Sequence, residues 1–453
     1  MIEILLTSAL SLLVNAPLTQ VAPEREWTLL FYGASDNNSE ESFVPDMRDA
    51  MRGLPLAGID VLAFVDRSPK YSNSSAAFGE DFSDSRLFRL TAESCERLGG
   101  GEEFPEITVE GSYEANSGDA RTLRKALRWA KEVSPAKNYG VIFYSHGGGD
   151  AWCPDESSGG DLLYPAELTD SLELQDSLDL MVFDVCSMAC VENAYQWRPG
   201  TGKFGADIMV ATPMAGYPFP WHDIFAQVAA VRSKGAPFSA KEFGGVVVDV
   251  VGKHRLEALA GEGQGAHAQG PFSYEAMGCF DLSEAQAVKQ CTDRLARALA
   301  GLETSQDDLE GLRGFGEEVG LLHFMGASPE RFWPRGPFFD LHDLARRVPE
   351  METTSPELLQ AARDLESAVD RMVVASFGMA GYERYDFLPG ASGLSITFPD
   401  GQRHWKNFNW YTSSRLGEGK RGYGNYAWCA DGALEQSEVG NWYQLLQSWY
   451  GAH

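Results

Sequence analysis

Residues 139–149 read YGVIFYSHGGG, and residues 178–188 read LDLMVFDVCSM. Both segments begin as continuous apolar runs, which are typical of parallel strands covered by helices on both faces. Each run ends in polar or small residues, and ligands of open parallel sheets bind just beyond the carboxyl ends of the strands. The two segments therefore predict buried strands, and they direct the search for a site to His146 and Cys186.

A histidine and a cysteine at strand ends are the pair that a thiol hydrolase needs. The thiolate is the nucleophile, and an imidazole can accept its proton and later return it to a leaving amine. The strand-to-helix transition predicted at Cys186 would let a helix dipole favour the anion. Gly147 and the two glycines after it offer N–H groups to an oxyanion. A single buried Cys or His is usually structural, but the joint pattern in this order favours catalysis.

The rest of the chain predicts an α/β fold. Strands at 27–33 and 59–67 flank a helix, and an amphipathic helix at 119–133 precedes the two central strands. From about Phe225 the chain reads as mostly helical, with a late strand at 392–399. We divide it into three parts, namely a signal peptide (1–22), a catalytic core (23–260) and a mostly helical C-terminal part (261–453).

Four segments together resemble the clostripain family of cysteine peptidases, which belongs to the caspase-like clan with legumain and the gingipains. The resemblance covers roughly residues 27–400. The segments are WTLLFYGASDNN (27–38), YSHGGGDAW (144–152), DLMVFDVCSMA (179–189) and SGLSITFP (392–399).

The resemblance implies a caspase-like three-layer αβα sandwich with a mostly parallel central sheet and a helical C-terminal addition. It implies that His146 is the general base and acid, that Cys186 is the nucleophile, and that the N–H groups of Gly147 and Cys186 are the oxyanion donors. In the family, the Asp two residues before the nucleophile lines the pocket for the substrate's P1 side chain. Asp184 occupies that position, where a carboxylate would pair with Arg or Lys. The alternative is a carboxylate satisfied by backbone N–H groups.

Two departures from the family pattern weaken parts of this transfer. The family usually has an acidic stretch after the strand that follows the nucleophile, whereas ATPMAGYPFPW at 211–221 has no carboxylate. Basic P1 specificity is therefore less secure here. Some members activate themselves by cutting after a basic residue between the His and the Cys, but no Lys or Arg lies between Lys137 and Arg198. That route is closed in this sequence.

The charge balance excludes one class of partner. The 453 residues include 37 Lys and Arg against 65 Asp and Glu, which gives a net charge of −28 and would repel a phosphate backbone. Nucleic acid is therefore not an expected partner, and a peptide or protein substrate is. Ten carboxylates fall in the stretch 150–184, which has no basic residue. Carboxylates can hold Ca²⁺, and clostripain-like enzymes can depend on it, but no EF-hand spacing is present and we favour a solvated acidic loop.

The first residues, MIEILLTSALSLLVNA, resemble a signal peptide with Glu3 in place of a basic n-region. We therefore expect a secreted or cell-envelope protein, or a cytoplasmic one if the segment is not a signal. The seven cysteines form no C-x-x-C pair, which argues against a disulfide framework and a cysteine zinc site. Cys190 is expected to lie in the core.

These observations predict a cysteine endopeptidase that works through a Cys–His dyad and an acyl-thioester. No cofactor is required for this chemistry. The alternative is a catalytically silent binding or scaffold protein that keeps the peptidase fold. A serine esterase with His-Gly-Gly-Gly as its oxyanion loop is remote, because the sequence lacks a G-x-S-x-G elbow.

Overall fold

A computed structural model shows the fold of the chain. It describes residues 25–71, 73–214, 216, 218–235, 238–261, 274–312, 321, 324, 338–380, 392–399, 405, 423–435 and 438–451. The predicted signal peptide lies outside these residues. The strands are β1 (Arg25–Ser35), β2 (Ile59–Arg67), β3 (Ser85–Leu90), β4 (Cys95–Leu98), β5 (Ala136–Tyr144), β6 (Trp152–Asp155), β7 (Asp161–Leu163), β8 (Leu178–Asp184), β9 (Ala206–Ala211), β10 (Tyr274–Asp281), β11 (Phe338–Asp340), β12 (Val373–Ala380) and β13 (Ser395–Thr397).

The helices alternate with the strands through the first half of the chain and dominate the second half. They are α1 (Glu40–Arg52), α2 (Ala120–Val133), α3 (Pro165–Ser171), α4 (Val191–Gln196), α5 (Trp221–Arg232), α6 (Ala240–Gly261), α7 (Ala285–Ala300), α8 (Ser305–Leu312), α9 (Leu341–Arg347), α10 (Pro356–Met372), α11 (Ala427–Ala430) and α12 (Trp442–Tyr450).

A nine-stranded sheet forms the centre, in the order β12-β10-β9-β8-β5-β1-β2-β3-β4. The five central strands are mutually parallel. Two antiparallel pairings at each end reverse the direction twice, so β4 and β12 run with the central strands. The prediction of a mostly parallel sheet is therefore confirmed.

Helices cover both faces of the sheet and bury a separate apolar core on each. One core packs α1, α5 and α6 against residues such as Phe31 and Val182. The other packs α2, α7 and α10 against residues such as Tyr32 and Phe183. Since neighbouring residues of a strand point to opposite faces, strands buried on both sides need apolar residues at nearly every position. This confirms the three-layer αβα arrangement.

Two strands of the central sheet come from the part of the chain that we expected to be mostly helical. Strand β10 pairs with β9, and β12 pairs with β10. The stretch Val373–Phe377, which we expected to continue a helix, is strand instead, because the amphipathic pattern ends at Met372. Residues on both sides of 260/261 therefore build one sheet, and the domain boundary there stays a prediction. The late strand expected at 392–399 is present as the shorter β13.

Within the described residues, no helix combines the length and the apolar character that crossing a membrane requires.

Candidate active site

The candidate site lies at the carboxyl ends of two neighbouring strands. Strands β5 and β8 pair in parallel register, with Tyr144 opposite Asp184 at their last residues. His146 and Cys186 each follow two residues later. Both residues therefore lie the same number of positions beyond a paired residue, which leaves the two predicted residues at the same edge of the sheet.

Two backbone N–H groups converge on the thiol of Cys186. The N–H of Gly216 donates to Sγ at 3.3 Å, and the N–H of Gly147 also favours the thiolate. Gly147 packs so closely that a Cβ there would lie 2.4 Å from the carbonyl oxygen of Cys186. The first glycine after the histidine is therefore a steric requirement. The N–H of Gly148, which we expected to be free, donates to the Ala151 carbonyl at 2.9 Å.

The electrostatics of Cys186 differ from the prediction. Burial raises the pKa of its thiol, the negative charge of Asp184 adds to this, and the two backbone N–H groups oppose it. The expected helix N-terminus at Cys186 is wrong, because α4 begins only at Val191. The residue after Cys186 is instead Ser187 in the left-handed region, at φ 63°. This conformation is rare for a residue with a side chain and makes the turn sharp.

His146 makes a contact that the sequence did not predict. Its Nε2 lies 2.6 Å from Oδ1 of Asn38, a residue just beyond β1, and His146 as a whole remains partly open to solvent. Since an amide oxygen can only accept, Nε2 carries the proton and Nδ1 is left as the basic nitrogen of the neutral ring. Partial burial lowers the pKa of His146. The only signal for Asn38 was its place in the Asp-Asn turn of the resemblance.

Asn37 and Ser145 fix the turn that carries Asn38. Asn37 donates through Nδ2 to the carbonyls of Ala34 at 3.0 Å and Pro154 at 2.8 Å. Ser145 donates to the same Ala34 carbonyl at 2.6 Å. These bonds tie the end of β1 to the residues on both sides of His146, so the backbone turn that precedes the exposed Asn38 is fixed by buried hydrogen bonds.

Asp184 lies buried beneath the same edge. Its Oδ2 accepts from the indole N–H of Trp221 at 2.9 Å and from the backbone N–H of Phe219 at 3.3 Å. Burial raises the pKa of this carboxyl to about 8, helped by the charge of Asp46 and opposed by the two donors and Arg255. One oxygen of Asp184 therefore accepts from one backbone N–H group and one indole N–H group. The alternative prediction, that backbone N–H groups satisfy this carboxylate, is met only in part.

Asp46 of α1 is a second carboxylate near Asp184. Its Oδ2 accepts from the hydroxyl of Tyr144 at 2.5 Å, and Tyr144 is the cross-strand partner of Asp184. Burial raises the pKa of Asp46 to about 6, although the bond from Tyr144 lowers it. The sequence pattern gave no indication of Asp46, because it lies on a helix far from both motifs.

The carboxylates of the acidic stretch 150–184 do not converge on one point. Asp176 pairs with Arg128 at 2.8 Å, and Asp179 accepts from the backbone N–H of Tyr139 at 2.7 Å. Asp155, by contrast, lies with two carboxylates from outside the stretch, Asp36 and Glu114. All seven cysteines are free, and Cys190 is buried in the core as expected.

Comparisons with known proteins show the family of the chain. The profile of the clostripain family, Peptidase_C11, matches residues 31–449. Clostripain from Hathewaya histolytica is 34% identical over 461 aligned positions, which cover 93% of this chain and 86% of that protein.

Solved structures show the same fold. An inactive zymogen C11 protease from Parabacteroides distasonis superposes with a TM-score of 0.58 at 18% identity, over 91% of this chain and 99% of that one. A secreted C11 cysteine protease from Bacteroides thetaiotaomicron, in complex with an irreversible peptide inhibitor, gives 0.57 at 18% identity, over 86% and 99%. These matches confirm the caspase-like α/β fold.

Proposed function

The chain belongs to the clostripain family of cysteine peptidases, and on that premise we propose that Cys186 is its nucleophile and His146 its general base and acid. The observation that carries this assignment is the shared sheet edge, where both residues follow paired strands by two positions. The bond from His146 to Asn38 supports it, because it fixes the tautomer that a general base needs.

The reaction is hydrolysis of a peptide bond in two stages. Nδ1 of His146 takes the thiol proton as the sulfur of Cys186 attacks the scissile carbonyl carbon. The imidazolium then gives this proton to the leaving amine, the C–N bond breaks, and an acyl-thioester remains. Water, deprotonated by the same imidazole, attacks the thioester and releases the acid and the thiol. Asn38 accepts from Nε2–H throughout and stabilises the imidazolium.

The proposed oxyanion donors are the N–H groups of Gly147 and Cys186. The position of Gly147 supports its role, since its N–H lies beside the sulfur that attacks the carbonyl. A donor next to the nucleophile is close to the oxygen that becomes negative. The chemistry uses only residues of this chain and needs no cofactor.

We propose Asp184 as the residue that selects Arg or Lys at P1. Burial raises the pKa of this carboxyl to about 8, so it gains most when a guanidinium or ammonium group enters beside it. Asp46 adds negative charge that the segment 211–221 does not supply. Arg255 is the competing cation near Asp184.

A P1 library tests these assignments. The purified chain is incubated with fluorogenic peptides that bear Arg, Lys or neutral P1 residues, together with the variants Cys186→Ala and Asp184→Asn. We expect cleavage after Arg and Lys, no cleavage by Cys186→Ala, and a selective loss for basic P1 with Asp184→Asn. Cleavage by Cys186→Ala would refute the assignment of Cys186 as the nucleophile. An unchanged P1 preference in Asp184→Asn would refute the assignment of Asp184 as the residue that selects the P1 side chain.

We also propose that the protein is exported and that it binds Ca²⁺. Export rests on the signal-like residues 1–16, and N-terminal sequencing of the mature protein tests it. Calcium would find oxygen ligands in Asp36, Glu114 and Asp155, which fit the preference of a hard cation.

A further inference from the structure

A buried asparagine, Asn193, joins the two segments that carry the proposed catalytic residues. Its side-chain nitrogen Nδ2 donates to the carbonyl of Gly149 at 2.8 Å and to the carbonyl of Met188 at 3.2 Å. Gly149 lies three residues after His146. Met188 lies two residues after Cys186. A single amide nitrogen therefore holds the end of one motif against the end of the other.

The short helix α4 directs Asn193 toward this junction. Asn193 is the third residue of α4 and is completely buried. Since side chains on a helix lean toward its N-terminus, this residue covers the chain that precedes the helix. That chain connects β8 to α4 and includes both Cys186 and the carbonyl of Met188. The place of Asn193 in α4 thus explains how its amide reaches the segment of Cys186.

The amide of Asn193 acts as a double donor. Its oxygen, Oδ1, is buried without a hydrogen-bond partner among the residues that the structure describes. Buried polar atoms are nearly always paired, so an orphaned acceptor needs an explanation in what the rest of the side chain does. Among uncharged side chains, only Asn and Gln carry two hydrogens on one nitrogen, which two carbonyls can share. The residue type therefore fits the task of joining two carbonyls.

Each segment is also held from its outer side. Gly149 has φ 90°, in the region that favours glycine, and a Cβ there would lie 2.5 Å from the ring of Phe338. On the other segment, the N–H groups of Ser187 and Ala189 donate at 2.7 and 3.0 Å to carbonyls that follow β9. These contacts fix each segment to its surroundings, whereas Asn193 joins one segment to the other.

We propose that Asn193 is a positioning residue for the oxyanion donors. The inference rests on the proposed function, in which the N–H groups of Gly147 and Cys186 receive the oxyanion. Gly147 packs directly on the Cys186 carbonyl and lies two residues before the bond at Gly149. Without the amide bridge the two segments can separate, which moves the Gly147 N–H away from the oxygen that becomes negative. A displacement of about 1 Å at a reacting centre can lower the rate about 100-fold.

Three measurements on the full chain test this role in Asn193→Ala. With the fluorogenic peptide that the parent cleaves best, kcat should fall at least about tenfold and KM change less than about threefold, because the lost geometry acts on the transition state. A peptide aldehyde of the same sequence, which adds the Cys186 thiol across its C=O bond and places its oxygen at the oxyanion position, should bind at least about tenfold more weakly. Alkylation of Cys186 by iodoacetamide, in which the sulfur displaces iodide and no oxyanion forms, should keep its rate within about threefold.

Asn441 provides a matched control. It is completely buried, and its Nδ2 also donates to two carbonyls, those of Cys429 at 2.9 Å and Asp431 at 3.0 Å. Asn441→Ala therefore removes the same pair of bonds, together with a helix cap, and touches neither segment of the site. It should lower the thermal stability and leave kcat within about twofold of the parent, because the loss lies outside the transition-state contacts.

Asn193→Asp keeps the size of the side chain and decides the matter if Asn193→Ala does not fold. A protonated carboxyl offers one hydrogen to one of the two carbonyls, whereas an ionised carboxylate offers none and repels both. The kcat of Asn193→Asp should therefore fall with rising pH as the carboxyl ionises. Neither the parent nor Asn441→Asp should show this additional limb in its pH profile.

An unchanged kcat in Asn193→Ala, or an equal loss of kcat in Asn441→Ala, would overturn the role of Asn193. Alkylation slowed by the same factor as hydrolysis would also overturn it, since the lost bond would then act on the thiol and not on the oxyanion. A pH profile of Asn193→Asp that matches that of the parent is the third contrary result. Cleavage that persists in Cys186→Ala would instead refute the proposed function, whatever the Asn193 variants do.

Discussion

Asn38→Ala should lower kcat and shift the acidic limb of the pH profile. Both effects are expected to report the loss of one and the same hydrogen-bond energy. A hydrogen bond to a neutral group contributes about 1 kcal/mol and one to a charged group about 1.5–3 kcal/mol. The bond of 2.6 Å from Nε2 of His146 to the Asn38 oxygen therefore strengthens by about 0.5–2 kcal/mol when the imidazole takes the thiol proton. Only this difference accelerates the reaction, which corresponds to about 2–30-fold in kcat with little change in KM.

The same difference stabilises the protonated form of His146 in the free enzyme. Without the amide oxygen, the acidic limb of kcat/KM should move to lower pH by about 0.3–1.5 pH units. Asn38→Asp, which keeps an acceptor, should restore kcat and move the limb upward. Asn138→Ala is the control, since Asn138 lies at the opposite end of β5 and bonds to the Glu26 carbonyl. An unchanged kcat and pH limb in Asn38→Ala, or an effect confined to KM, would refute the reasoning.

Three further predictions concern the other residues of the site. Because burial lowers the pKa of His146, and the base must be neutral, the acidic limb of kcat/KM in the parent should lie below the ordinary imidazole value of about 6.5; a limb above it contradicts the assignment. Because the pKa of Asp184 is about 8, a basic P1 side chain must displace the proton of this carboxyl when it binds. The KM for Arg substrates should therefore fall as pH rises through 8. A KM that does not change with pH would argue against an ion pair between Asp184 and the P1 side chain. Gly147→Ala should lower kcat/KM by about 100-fold, because a Cβ at 2.4 Å from the Cys186 carbonyl oxygen forces the two segments apart. Gly148→Ala is the control and should remain active, since the nearest contact of a Cβ there is at 3.5 Å. Equal activity of the two variants would refute the steric argument.

The central strands and the two motif residues were predictable because their signals are local. Within one short segment, an apolar run that ends in His-Gly-Gly-Gly or in Asp-Val-Cys indicates a strand, the point where the strand ends and the candidate reactive side chain. Strands β10 and β12 lack such a signal. Strand β12 follows α10 without a glycine or proline to mark the change, so helical periodicity was extended through Val373.

The contacts that complete the site join residues distant in the chain, and no local pattern reports them. Asn38 and His146 are 108 positions apart. The carboxylates of Asp36, Glu114 and Asp155, outside the candidate active site, likewise come from three segments, of which only the one with Asp155 lies in the acidic stretch 150–184. Charge density along the chain does not report this grouping, because other carboxylates of that stretch, such as Asp176, bond elsewhere.

The raised pKa of Asp184 also shows how this proposed pocket residue can lie two positions before the proposed nucleophile, Cys186. An ionised Asp184 raises the pKa of Cys186, so a permanent charge there would suppress the thiolate. Below about pH 8 the carboxyl of the free enzyme keeps its proton, and this opposition is absent. When a cationic P1 side chain enters, the carboxyl ionises, but the pair that forms is neutral overall. The pocket can therefore offer a charge to the substrate without presenting it to the thiol.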